Sequence, residues 1–174
     1  YKILVLFSLF LLFLLYCEEN YSMIDEVDKK ILSELQLDSK QTIKELAEKI
    51  SLTPTPVYER IKKLEDLGYI VGYKAQIDRF SIGLSLMVFC NISLKEHQAK
   101  FLAQFEKNVQ PLDEVLACYH LGGMYDYLLK ICVKDMYEYQ KFVANKLANI
   151  GNIANVQSSF VMKEIKSSEL YYFK

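Results

Sequence analysis

Tryptophan is missing from this chain, and histidine occurs only twice, so the chemistry that either supplies in quantity is not available. The four cysteines, Cys17, Cys90, Cys118 and Cys132, include no Cys-x-x-Cys pair, and no histidine stands at ligand spacing from any of them, which argues against a zinc site. Three of the four fall in apolar runs, where cysteine packs as a small buried hydrophobe, a usage that suits a reducing compartment. Six glycines are present, and they form no Gly-rich phosphate loop. Without that loop, a Cys/His pair or a metal cluster, no residue stands out as catalytic, and neither a metal nor a cofactor is expected. Neither sign of charge is in excess: 21 Lys and Arg face 22 Asp and Glu, a net charge of −1. That excludes a protein that coats nucleic acid by bulk charge.

Long hydrophobic runs are also lacking, with one partial exception. Ile3 to Tyr16 is apolar apart from Ser8. A membrane helix needs about 20 such residues. The run follows Lys2, as in a signal peptide, and ends Leu14-Leu15-Tyr16-Cys17, a poor lipoprotein cleavage site because Tyr16 is bulky. The chain opens on Tyr, and Met23 stands just ahead of an amphipathic segment. Residues 1–22 are therefore expected to lie outside the mature fold, with a targeting or anchoring segment as the alternative. No membrane partner is expected.

What the chain does have is helical periodicity followed by strand alternation. Ile24, Val27, Ile31, Leu32 and Leu35 predict a helix over about 25–36, with Asp25, Glu26 and Asp28 complementing the macrodipole of its first turn. Ile43, Leu46, Ala47 and Ile50 predict a second over about 42–50, capped by Ser39 or Thr42, with Glu45 completing a capping box on Thr42. A turn, Ser51-Leu52-Thr53, leads to a third. There Thr53 is the N-cap, Pro54 occupies the first helical position, and Val57, Ile61, Leu64 and Leu67 form the buried stripe. Gly68 sits where a left-handed residue ends a helix. Tyr69 to Ile77 alternates weakly and reads as a strand. Two helices joined by so short a turn cross steeply, so residues 39–72 read as a helix-turn-helix with its wing.

With the stripe turned inward, Thr55, Tyr58, Glu59, Lys62, Lys63 and Asp66 face outward. Thr53 and Thr55 bring hydroxyls to the helix N-terminus, where phosphate is favoured, and Thr42 does so one helix earlier. Tyr58, Glu59 and Lys62 can reach base edges, Glu59 accepting from a cytosine amino group and Lys62 donating to guanine. Arg60 and Lys63 are placed for phosphates. The competing reading is a solvated face in which the lysines pair with Glu59 and Asp66.

Residues 78–83 form a linker. The rest reads strand 84–94, helix 96–108, strand 112–122, strand 125–133, helix 136–150 and strand 153–165, with Gly122-Gly123 as a hairpin signal between the middle strands. The order β-α-β-β-α-β is the ferredoxin-like arrangement, and the whole is α+β. The helices cover one sheet face. Met87, Phe89, Leu128, Ile131 and Phe160 are expected on the other, awaiting a partner subunit. The domains expected are thus 23–77, 84–168 and a tail over 169–174.

The chain resembles the leucine-responsive (Lrp/AsnC, feast/famine) family of regulators. The resemblance covers residues 24 to about 168. It is carried by Ile24-Asp25-Glu26-Val27-Asp28-Lys29-Lys30-Ile31-Leu32, by Leu52 through Glu65, by Gly68-Tyr69-Ile70-Val71-Gly72-Tyr73, by Gly123-Met124-Tyr125-Asp126-Tyr127-Leu128-Leu129-Lys130, and by Val161-Met162-Lys163-Glu164-Ile165-Lys166. It implies a winged helix-turn-helix for double-stranded DNA, a hinge strand, and an amino-acid-sensing domain that dimerises and assembles further, often to octamers, in the cytoplasm. It makes Gly123 and Asp126 the effector positions, with Met136, Ser159, Phe160 and Val161 as liners. Asp126 can hold an α-ammonium group and the hairpin N–H groups a carboxylate. Many relatives carry an acidic residue where this chain has Met124. His120, close by, reads as structural. The alternative function is a constitutive or architectural DNA binder whose second domain serves only assembly. A small enzyme on that domain is the reading from another class, and a membrane-anchored or exported protein rests only on residues 1–22.

Overall fold

The computed structural model describes residues 24–167 and 170–173; the apolar run at the start lies outside them. Two compact units emerge, the first from residues up to Ala75 together with the end of the chain, the second from Gln76–Ser167.

In the first unit, α1 spans Glu26–Leu37, α2 Ile43–Lys49 and α3 Pro54–Asp66. The cap expected at α2 forms, and α1 carries one as well, where sequence reading gives only acidic charge in the first turn. Asp25 caps α1 and Asp28 returns a hydrogen bond to its backbone. Thr42 caps α2 in a reciprocal box with Glu45. Each box satisfies donors that would otherwise be orphaned at a helix start. Both Asp25 and Glu45 are held below the ordinary carboxylate range: Asp25 by the Asp28 N–H and then by Arg60, Glu45 by the N–H and then the hydroxyl of Thr42. At the other end of α3, Gly68 adopts φ +76 while the N–H groups of Gly68 and Tyr69 donate to Glu65 and Leu64. That pair of bonds is a Schellman closure.

The α2–α3 turn closes in the same way, but on serine. Ser51 takes φ 58, and the N–H groups of Ser51 and Leu52 donate to Glu48 and Ala47. A side chain there works against the left-handed conformation. Ser51→Gly is expected to stabilise this unit by about 1 kcal/mol, a rise in Tm that thermal melting would read directly.

Ile31, Leu32, Leu46, Ala47, Val57, Ile61 and Leu64 form the buried core where the three helices meet. Beyond Gly68 the chain does not form the strand expected over 69–77. It runs without a ladder partner among the described residues, and Val71 and Tyr73 are exposed. A strand is stabilised by pairing, and this stretch finds none within its own unit.

In the second unit, β1 (Leu86–Leu94), β2 (Val115–His120), β3 (Tyr127–Val133) and β4 (Ile153–Phe160) build one antiparallel sheet in the order β2-β3-β1-β4. α4 (Ala99–Val109) and α5 (Met136–Asn145) cross over between them, and α5 runs on into a 3-10 turn at Leu147–Asn149. This is the ferredoxin-like arrangement. Strand β4 stops at Phe160, earlier than expected. Phe160 pairs with Val88 and the Val161 N–H still donates to Met87, close to where β1 begins.

The register corrects the two faces. Val88, Cys90, Ile92 and Leu94 share the core with Phe105, Tyr127, Leu129, Ile131, Tyr139, Phe142 and Leu147. Ile131, fully buried, therefore belongs to the helix-covered face, and so does Phe160, which pairs with Val88 and meets the Tyr139 ring edge-on at 5.4 Å. Met87, Phe89 and Leu128 remain on the opposite face, with Lys130, Tyr119 and Ser159. Leu128 and Ile131 are three residues apart on one strand, and at period 2 that spacing puts them on opposite faces, so the two could not share the open one.

Candidate nucleic-acid interface and effector hairpin

The third helix carries the first site. Val57, Ile61 and Leu64 are buried, which turns Thr55, Tyr58, Glu59, Lys62 and Lys63 to the surface, Tyr58 at 58% exposure. Neither Lys62 nor Lys63 has an ion-pair partner among the described residues. The intrahelical pairs with Glu59 and Asp66 do not form, and both ammonium groups stay free for an anion. Thr53 caps α3 by backbone conformation alone, its hydroxyl making no capping bond. Pro54 and Pro56 carry no N–H, so Thr55 supplies the backbone donor at this tip. The Thr42 hydroxyl is engaged with Glu45, donating to Oε2 at 2.9 Å and accepting the Glu45 N–H at 3.2 Å.

Arg60 stands apart from the others. Its Nη1 lies 2.7 Å from Asp25 Oδ2 and 2.7 Å from Asp28 Oδ1. Asp28 is buried, with its side chain 7% exposed. The two carboxylates, Asp28 first, raise the affinity of the guanidinium for its proton. Arg60 therefore points at the start of α1 and not at the open face where the phosphate contact was expected. The reason is position: one residue before Ile61, it sits on the flank of the buried stripe, within reach of the α1 cap. The acidic pair in the first turn of α1 was the available signal.

The second candidate is the hairpin over 121–126. The Leu121 N–H donates to the Asp126 carbonyl at 2.7 Å, and the Asp126 N–H to the Ile92 carbonyl at 2.9 Å. The Asp126 carboxylate is engaged on both oxygens: Oδ2 accepts the Leu94 N–H at 2.7 Å, and Oδ1 lies 3.0 Å from His97 Nε2. It pins the hairpin to the end of β1 and to the loop before α4. Gly122 and Gly123 border open space, with no atom within 4 Å of where a Cβ would sit, and Met124 is 86% exposed.

The six effector candidates do not converge within one chain. Gly123 and Asp126 lie beside Tyr127, which pairs with Ile92. Phe160 pairs with Val88 and Val161 follows it, while Met136 opens α5 beyond Val133. Four strand positions separate Ile92 from Val88, about 13 Å at strand spacing. Ser159 and Phe160 also face opposite sides of the sheet. Reading the chain in order without the register hid this separation.

A cluster that sequence reading missed lies beneath Phe160. The Tyr139 hydroxyl is 2.9 Å from Cys90 Sγ and 2.5 Å from Ser158 Oγ, tying α5 to β1 and β4. Burial and the Cys90 contact push the phenol above its ordinary range. Cys90 and Cys132 are buried as expected, whereas Cys118 is exposed on edge strand β2. His120 stacks on Tyr127 at 4.7 Å between ring centroids. Among the described residues no group of His, Cys, Asp and Glu could hold a metal ion, and no helix is long and apolar enough to cross a membrane.

Residues 24–71 match the family model for a winged helix-turn-helix DNA-binding domain, and residues 87–171 that for the Lrp/AsnC ligand binding domain. The DNA-binding transcriptional activator DecR of Escherichia coli K12 is 37% identical over 144 residues, covering 83% of this chain and 95% of its own. The chain belongs to the Lrp/AsnC family. The leucine-responsive regulatory protein of Escherichia coli K12 is 36% identical over 151 residues, 87% of this chain and 92% of its own. A transcriptional regulator from Neisseria meningitidis, solved as a complex with L-Met, superposes with a TM-score of 0.81 at 36% identity, covering 84% of this chain and 95% of that one. An AsnC family regulator from Agrobacterium tumefaciens gives 0.82 at 34% identity, covering 86% and 97%. Like these relatives, this Lrp/AsnC member is a DNA-binding transcription regulator with a ligand-binding domain.

Proposed function

We propose that α3 reads duplex DNA in the major groove through Tyr58, Glu59 and Lys62, with Lys63, Thr53 and Thr55 on phosphates. The observation that carries this reading is the open face of α3, where two lysines lack carboxylate partners among the described residues. Thr42 serves by capping α2, and its contribution to the DNA face is indirect. One unit contacts too few phosphates for a specific site, so two copies related by a two-fold axis read half-sites about 34–36 Å apart, or a multiple of that spacing. The unpaired stretch from Val71 to Ile77 and the sheet face bearing Phe89 and Leu128 are the surfaces a second copy would cover, and assembly continues to octamers. The protein acts in the cytoplasm, as a regulator and not as an enzyme.

The effector is an amino acid. Its polar groups are held at the Gly122-Gly123 hairpin, where the backbone is open to approach. The neighbour solved with L-Met supports that ligand class. Because Met136, Ser159, Phe160 and Val161 stand far from Gly123 in one chain, they complete a site only when another copy supplies them. Asp126 acts by holding the hairpin, since both of its oxygens already have partners. That same engagement favours a second reading, a regulator whose hairpin serves assembly and which binds DNA constitutively. Titrating the purified protein with DNA in the presence of each of the twenty amino acids separates the two. Sensing predicts a change in affinity for at least one, about 5- to 150-fold for a typical coupling. Gly123→Val should abolish the change and leave affinity in its absence intact. Indifference of the wild-type protein to all twenty would favour the constitutive reading.

A further inference from the structure

The DNA-binding unit is not built from one stretch of chain. Residues 170–173 belong to it as well, although the whole second unit lies between them and α3 in sequence. Their seat is specific. The Gln36 side-chain amide, on α1, pairs with the backbone of Tyr171 in both directions: Nε2 donates to the Tyr171 carbonyl at 3.1 Å, and Oε1 accepts the Tyr171 N–H at 2.7 Å. Phe173 then packs, partly buried, against the core where the three helices meet. The Tyr171 and Tyr172 rings stay outside, at 80% and 77% exposure. This is peptide recognition in miniature: a backbone clamp at one residue and an apolar anchor two residues on.

We propose that Leu170–Phe173 is a docking segment for α1, and that it gives the DNA-binding unit a second tether to the rest of its chain. A unit held only through the stretch after Gly68 samples a wide volume. Tied at both ends, it samples a smaller one. In a symmetric pair of chains that raises the effective concentration of the second DNA-binding unit once the first has bound. The seat should therefore matter more for a duplex with two half-sites than for one with a single half-site. This consequence rests on the DNA reading above; the docking itself does not.

Because the chain has no tryptophan, Phe173→Trp installs a single fluorescent reporter at the seat of the full-length protein. Docking predicts emission blue-shifted from that of free tryptophan and protected from iodide, with protection lost when Gln36→Ala is added. Emission like that of free tryptophan would overturn the docking, and protection that grows with protein concentration would move the tail onto another copy and overturn the seat within one chain. In wild-type sequence otherwise, Gln36→Ala and Phe173→Ala should each lower the ratio of two-half-site to single-half-site affinity by about tenfold, within the 10²–10⁴ that linkage can supply. An equal loss on both duplexes, or none, would overturn the tether and leave the segment a structural prop. A shielded reporter in a protein that ignores DNA altogether would support the docking while sinking the DNA reading.

Discussion

Arg60→Ala is expected to destabilise the DNA-binding unit by about 2–3 kcal/mol, between the cost of breaking a fully buried ion pair and that of an exposed one. The intermediate value follows from the geometry. Asp28 is nearly enclosed, with 7% of its side chain exposed, while Arg60 keeps 34%. Removing the guanidinium leaves the Asp28 carboxylate without its cation and also weakens the Asp25 cap, since both carboxylates share Nη1. Because Arg60 is on α3 and both carboxylates are at the start of α1, the loss should also loosen the angle at which α3 is presented. Denaturant unfolding of the wild-type and variant proteins measures the first effect. The salt dependence of DNA binding tests the second: Arg60→Ala should lower affinity and leave the slope of log K against log salt unchanged, as expected of a residue that positions the helix without touching phosphate. A slope shallower by about 0.9 would instead assign Arg60 a phosphate.

Lys63→Ala is expected to do what Arg60→Ala does not. It should leave stability within about 0.5 kcal/mol, the usual range for a surface change, and reduce the salt slope by about 0.9 for each half-site it contacts. Lys62→Ala should weaken the preferred site by about 1–3 kcal/mol and relax the base preference there, while changing nonspecific binding less. Together the two variants separate base reading from charge neutralisation on one helix. Binding isotherms from low to physiological salt, on a specific and a scrambled duplex, supply both numbers. Unchanged binding by the double variant at every salt would remove this face from the account.

Much of the first unit was legible in the sequence because its signals are local. The Thr42–Glu45 box, Val57, Ile61 and Leu64 of the α3 stripe and Gly68 after α3 are read within a few residues and fold as read, while Leu67, expected in the same stripe, is exposed where the helix ends. The order of elements in the second unit was legible for the same reason, each helix and strand carrying its own periodicity. What could not be read was long-range. Arg60 looked like any basic residue on a recognition helix until α1 brought Asp25 and Asp28 to it. Phe160 took the helix-covered sheet face once its register with β1 was known, whereas Ile131, three residues from Leu128 on one strand, was already barred from Leu128's face by period 2. The Cys90-Tyr139-Ser158 cluster joins three elements, none of which announces it. The tail seat on Gln36 spans 135 residues and has no local signature.

The central claim is that the outer face of α3 reads DNA in symmetric pairs. Selection of purified full-length protein against random double-stranded DNA at low salt, followed by sequencing of the retained duplexes, tests it most directly. The account predicts an enriched, two-fold symmetric motif with half-sites one helical turn apart, or a multiple, lost from the Lys62→Ala, Lys63→Ala protein. Retained duplexes without symmetry or enrichment, or the same motif selected by that double variant, would contradict it.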